Sequence, residues 1–238
     1  MAGTPVAGAP AQAPPSYALA LAQLCDSALP TGAFSHSFGL ERHLARGLVH
    51  DEASFTDWLV QFIRIQLCHS DGFAIRLVVE AADAAELYRV DRMLAAATLP
   101  RQVRRAAATM GARMLQIAAT VCPGPELDGY AAQVAAGHCA GHPAVPFAIV
   151  GRSLGVPLPE LLAGYLFATV TQLTQNAIRG IPIGQNAGQR VLRAVHPEVA
   201  GAVMRIQTLA PEDFGVSAPG LEIAQMQHER QRARMFMS

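Results

Sequence analysis

The chain has 238 residues, enough for one large domain with a substantial core. It is 51% hydrophobic and only 15% charged, against a usual ~25% charged, so a monomer would expose broad apolar surface of the kind that marks an oligomer or an obligate partner. All 18 cationic side chains are arginine and the formal net charge is zero, which excludes a P-loop, a protein-kinase site and a pyridoxal phosphate Schiff base, all built on lysine, and leaves no electrostatic footprint for nucleic acid or an acidic membrane.

Residues 1–15 are an Ala/Pro/Gly tract with prolines at Pro5, Pro10, Pro14 and Pro15. Such a segment builds no core and reads as a disordered tail. From residue 16 to 238 the pattern is helical nearly throughout. Trp58, Leu59, Phe62, Ile65 and Gln66 follow the rhythm of one buried helix face, with Ser54 and Asp57 as a weak capping-box start. Leu99-Pro100 opens a helix reaching about Val121, closed by Cys122-Pro123-Gly124-Pro125. Leu158-Pro159-Glu160 places a proline and then an acid in the first turn of a long helix ending near Arg179. His196-Pro197 separates two shorter helices. No alternating strand pattern and no internal linker stands out, so the prediction is a single compact all-α domain of about nine or ten helices.

The cysteines Cys25, Cys68, Cys122 and Cys139 are far apart and give neither a disulfide framework nor a zinc spacing. No basic n-region precedes an apolar core at the N-terminus. The charge-free stretches from Gly129 to Gly151 and from Leu161 to Ile178 are broken by Gly and Pro or loaded with Thr, Gln and Asn, unlike a membrane span. These features point to a reducing, cytoplasmic setting.

Three segments carry more than helix periodicity. In Leu29-Pro30-Thr31-Gly32-Ala33-Phe34-Ser35-His36-Ser37-Phe38-Gly39-Leu40-Glu41 the proline and glycines turn the chain, and Ser35 or Ser37 is placed to cap the next helix. In Ile178 to Leu192, the glycines Gly180, Gly184 and Gly188 lack the strand and spacing of a dinucleotide loop. Gly184 and Gly188 suit close helix packing instead, and Gln185 and Gln189 share a helix face, which fits a buried amide network as well as a surface. The third is Glu222 to Ser238, where His228-Glu229 begins a zincin motif that Arg232 breaks.

Taken together and in this order, the three segments resemble the UreF family of urease accessory proteins. The string ending at Glu41, the Pro182-x-Gly184-Gln185-x-x-Gly188-Gln189 stretch after basic Arg179, and a tail with Met226, His228, Glu229, Gln231, Arg234, Phe236 and Ser238 are similar to the family's signatures. His36 stands where tyrosine is usual, and Gln227, Arg230, Arg232 and Met237 depart from the commoner tail. The resemblance implies an all-helical, non-catalytic adaptor without a cofactor, tending to dimerise. It would act with UreD (also called UreH), the GTPase UreG and apo-urease so that nickel enters the apoenzyme. It places Ser35, His36, Ser37, Gly39, Glu41, Arg179, Pro182, Gly184, Gln185 and Gln189 on a surface for UreG. Met226, His228, Glu229, Arg234 and Phe236, within a partner-docking segment 222–238 that orders on binding, face UreD.

Two other readings stay open at this point. His138, Cys139 and His142 are the best metal-ligand candidates, since the histidines are four apart. Gly137, Gly141 and Pro143 around them fit an interhelical turn equally. A helical enzyme or small-ligand carrier would use a pocket in 172–189, a stretch whose one titratable side chain is Arg179.

Overall fold

The computed structural model describes residues 15–238; residues 1–14, nearly all of the expected tail, lie outside the described residues. Among the described residues there are twelve α-helical segments and no strand. The early helices are α1 (Ala18–Leu24), α2 (Leu40–Ala45) and α3 (Glu52–Gln61). They are followed by α4 (Phe73–Glu80), α5 (Ala84–Ala97), α6 (Arg101–Val121) and α7 (Pro125–Ala135). The later ones are α8 (Ala144–Ser153), α9 (Leu158–Gly180), α10 (Gln185–Ala194), α11 (His196–Ile206) and α12 (Pro219–His228). The all-α expectation holds, and the proline-marked starts of α6 and α9 fall where the sequence puts them.

The helix around Trp58 begins earlier than Ser54. Asp51 is its N-cap: its carboxylate accepts the Ser54 N–H at 2.8 Å, and the Ser54 hydroxyl oxygen accepts the Asp51 N–H at 3.1 Å. This reciprocal pair satisfies two free N–H groups at the helix start. The rod runs from α3 into α4 through a π-helical stretch, Phe62–Gly72. Wider i→i+5 turns rotate the inward face, so Ile63, Leu67 and Cys68 are buried while the expected Ile65 and Gln66 are half-exposed.

At the centre is α8, in which every residue from Ala144 to Gly151 is buried; α4, α6, α7 and α9 surround it. Helix α6 comes so near the turn before α8 that a Cβ on Gly111 would sit 1.6 Å from the Gly141 carbonyl oxygen. That turn hangs on the fully buried Asp91 carboxylate, which accepts the Tyr130 hydroxyl at 2.8 Å and the His142 N–H at 2.9 Å. Large side chains such as Phe55, Phe73 and Phe147 are fully buried, each stabilising the fold by about 1.5–3 kcal/mol. The long α9 runs past α8, α10 and α11 and ends against α2 and the turn at 33–35, while α12 lies across α2 and α6.

Candidate partner-docking face

Parts of the three informative segments, distant in sequence, meet at one end of α9: the 33–41 turn, Arg179 and the tail. Gly32, in the left-handed region at φ +83°, reverses the chain into a short 3₁₀ turn, Ala33–Ser35. Two amides of α9 hold this turn. The Gln172 side chain donates to the Ala33 carbonyl, and the buried Asn176 donates to the His36 carbonyl at 2.8 Å. Gly39, at φ +92°, lets α12 approach, since a Cβ there would lie 2.9 Å from the Gln225 Cγ. Gln225 in return donates to the Phe38 carbonyl at 3.1 Å.

The segment after α12 folds back over this turn. The Met237 N–H donates to the Ser35 carbonyl at 2.7 Å, and the Ser37 N–H donates to a Ser238 oxygen at 2.5 Å. His36 Nδ1 and the Ser238 hydroxyl are 2.8 Å apart. Glu41 is the second anchor. Its carboxylate accepts the Met235 and Phe236 N–H groups at 2.5 and 3.0 Å and lies 2.7 Å from His228 Nε2. His228 is fully buried, its other ring nitrogen 3.2 Å from the Gln102 side-chain oxygen. Gln102 also donates to the Met237 carbonyl, and Arg101 pairs with Glu229. Phe236 is 3% exposed, and the Arg179 guanidinium lies over its ring, 5.0 Å from the centroid, while donating to the Phe34 carbonyl at 3.2 Å.

The sequence-selected residues therefore divide by depth. His36, Ser37, Gly39, Glu41, His228 and Phe236 are buried, Ser35 and Glu229 half-buried, and Arg179, Met226 and Arg234 exposed. Pro182, Gly184, Gln185 and Gln189 are exposed as well, so the amides face solvent instead of forming a buried network. Of Gly184 and Gly188, only Gly188 serves close packing, against Ile178. The segment 222–238, expected to order on binding a partner, is already seated: its helix stops at His228 and the last residues run as turns along the Glu41 carboxylate. Exposed around it are Phe34, Ile223, Met226, Met235 and Met237, apolar side chains of the kind enriched in protein interfaces. Sequence reasoning missed Arg101, Gln102, Asn176 and Gln225, because no local pattern marks a side chain whose partner lies over a hundred residues away.

The metal-ligand candidates do not converge. His138 is exposed and bonded to Gln133, whereas His142 points towards Asp71, 3.9 Å away. Cys139 is buried, and burial together with the nearby Asp91 charge pushes its thiol up to about 11. The segment is the turn between α7 and α8. A pocket does exist, largely outside 172–189. A cavity of about 150 Å³ lies between α6, α9 and the π-helical stretch, and only Gln172 of that range lines it. Among its polar lining residues is Asp71, which accepts the Tyr165 hydroxyl at 2.8 Å and the Ser70 hydroxyl at 2.9 Å. Burial first, and Asp71 second, raise the Tyr165 hydroxyl well above its ordinary value, so it stays a donor.

Residues 49–196 match the family model described as UreF, more than half of the chain. The chain belongs to the UreF family. A protein of Arthrobacter sp. (strain FB24), named urease accessory protein UreF, is 62% identical over 94% of this chain and 98% of its own length. Proteins of the same name from Paenarthrobacter aurescens (strain TC1) and Corynebacterium efficiens (strain DSM 44549 / YS-314 / AJ 12310 / JCM 11189 / NBRC 100395) are 55% and 47% identical, over 94% and 92% of the chain and 99% and 96% of theirs. The matched span includes Arg179 to Gln189 and stops short of the 31–41 turn and the tail. No described helix is long and apolar enough to cross a membrane.

Proposed function

We propose that this chain is a non-catalytic adaptor in urease maturation, a chaperone that joins UreD (UreH) and the GTPase UreG on apo-urease so that nickel is inserted. The observation that carries this reading is the meeting of the 31–41 turn, Arg179 and the tail at one end of α9. The titratable groups there are engaged in holding the fold: Glu41 and His228 face each other and the tail, and His36 holds Ser238. A general acid–base pair needs free access to a substrate, and this pair is buried. GTP binding belongs to UreG in this reading, since a chain without lysine cannot form a P-loop.

In the adaptor reading the face has two neighbouring halves. Arg179, Phe34, Pro182, Gly184, Gln185 and Gln189 receive UreG, and Ile223, Met226, Glu229, Arg234, Met235 and Met237 receive UreD. The buried His36, Ser37 and Glu41 act by seating the tail. A homodimer within a cytoplasmic complex fits the low charge content of the chain. Co-expression with UreD and UreG of the same organism, followed by affinity capture and size-exclusion chromatography, tests the proposal. The expected result is one co-eluting complex that loses UreG in Arg179→Ala and UreD in a Met226→Ser, Met235→Ser double variant. Separate elution of all three folded proteins would overturn it.

A further inference from the structure

The cavity beside α9 owes its polar lining to the π-helical stretch. Phe62, Gln66, Leu67, Ser70 and Asp71 of that stretch all line it. Nine residues make about two and a half turns of an α-helix, which would set Asp71 on the face opposite Phe62. The wider turns bring both to one side. π-Helical turns are rare, and where they occur they often accompany a functional site.

The Asp71 carboxylate is short of partners. It accepts two hydroxyls, from Tyr165 and Ser70, although its side chain is only 20% exposed. By contrast, the fully buried Asp91 takes the Tyr130 hydroxyl and several N–H groups of the turn before α8. His142 Nδ1 accepts the Ala144 N–H at 3.3 Å, so a neutral ring carries its proton on Nε2. That nitrogen stops 3.9 Å from Asp71, too far for a hydrogen bond. A buried charge is normally paired with one of opposite sign, and no arginine reaches Asp71. The charge around it is one-sided as well. Asp26 and Glu222, nearer solvent, also line the cavity, and no described arginine does, in a chain with 18 acidic and 18 basic residues.

We propose that this cavity binds a small organic cation, with an ammonium head on Asp71 and a short apolar body against α6. Phe147 and Tyr165 stand beside the carboxylate, their ring centroids 5.1 Å apart, and aromatic rings attract cations. Leu67, Met110 and Met114 line the apolar part. The volume of about 150 Å³ equals that of a cavity able to take benzene, which sets the body at about four to six carbons. A metal ion suits the donor set less well. Asp71 and His142 are two ligands where protein metal centres supply three or four, and no group of three such side chains is placed to hold a metal among the described residues.

The test is methyl NMR of the full-length chain with labelled methionine. Met110 and Met114 are followed while n-butylammonium chloride, its neutral isostere n-butanol, or ammonium chloride is added. Hydrogen bonds to a charged group are roughly twice as strong as neutral ones, so n-butylammonium should shift both methyls with a dissociation constant at least about tenfold below that of n-butanol. Ammonium chloride, which lacks the apolar body, should bind more weakly than n-butylammonium. Asp71→Asn keeps an acceptor for the Tyr165 hydroxyl and should erase the preference for the cation. Equal affinity of the wild type for n-butylammonium and either other probe would overturn the proposal, as would methyls that respond to neither organic probe. Both overturning results are read on the wild type, so neither depends on how a variant folds.

Discussion

Replacing Glu41 by alanine removes the anchor that ties α2 to α12 and the tail. Glu41 is 8% exposed, and its carboxylate faces three donors: His228 Nε2 and the N–H groups of Met235 and Phe236. A buried donor left without a partner costs about 1–3 kcal/mol. The two backbone donors can escape this penalty, because release of the tail returns them to water. Their contribution is therefore capped by what the tail gains on docking, chiefly the burial of Phe236 at about 1.5–3 kcal/mol. His228 cannot follow, since it is fixed in α12 with no exposure, and its unpaired nitrogen adds its own penalty. The sum is about 3–5 kcal/mol, which for a chain of this size lowers the melting temperature by roughly 6–20 °C. Calorimetry would measure the shift, and trypsin cleavage after Arg232 and Arg234 would show whether the tail is free. Glu41→Gln, which keeps one acceptor oxygen, should fall between wild type and alanine. A melting temperature within about 2 °C of wild type, with the tail still protected from trypsin, would refute the anchor.

Arg179→Ala removes an exposed cation over Phe236 and a bond to the Phe34 carbonyl; the expected stability loss is about 0.5–1 kcal/mol, measured by denaturant titration, while UreG capture falls at least severalfold. Gly111→Ala drives a Cβ into the Gly141 backbone, where no side-chain rotation gives relief, so a loss of about 3 kcal/mol or more and poor soluble yield are expected on expression and melting. Burial holds the His36 imidazole below its ordinary value of 6.5. The unfolded chain therefore takes up a proton first, and the stability contributed by neutral His36 is complete above pH 6.5 and drains away as pH falls from there through the folded-state value. Melting curves from pH 7.5 to 5 should show this slope in the wild type, shallower in His36→Gln.

Helix existence was legible wherever punctuation was chemical. The prolines at Pro100 and Pro159 and the Cys122–Pro125 breaker mark real ends, because proline lacks an N–H and fixes φ. The register of the Trp58 helix was not legible, since a period of 3.6 is assumed in reading a face and the chain widens to π-helical turns from Phe62. The candidate face was legible as three motifs but not as one place. Nothing in the string near Glu41 states that its carboxylate meets Met235, 194 residues on. Depth was misjudged for the same reason: Ser, His and Glu in a turn read as surface, yet their partners are other polar groups of the chain, which allows burial. The amides of Gln185 and Gln189 illustrate the converse, since a helix pattern alone does not tell an inward amide from an outward one.

Depth also decides how the face should respond to mutation. In the adaptor reading, buried members such as Ser37, Glu41 and His228 act on a partner only by seating the tail, so their variants should lose tail protection and partner capture together. Exposed members such as Gln185, Met226 and Gln189 project into solvent, and their loss should reduce capture with the tail still protected. Plotting capture against trypsin protection for both sets therefore gives two lines in the adaptor reading: buried variants on a diagonal, exposed variants along the capture axis alone. A single diagonal for all variants would mean that the exposed side chains make no contact of their own, and that a partner reads the tail only through the fold beneath it.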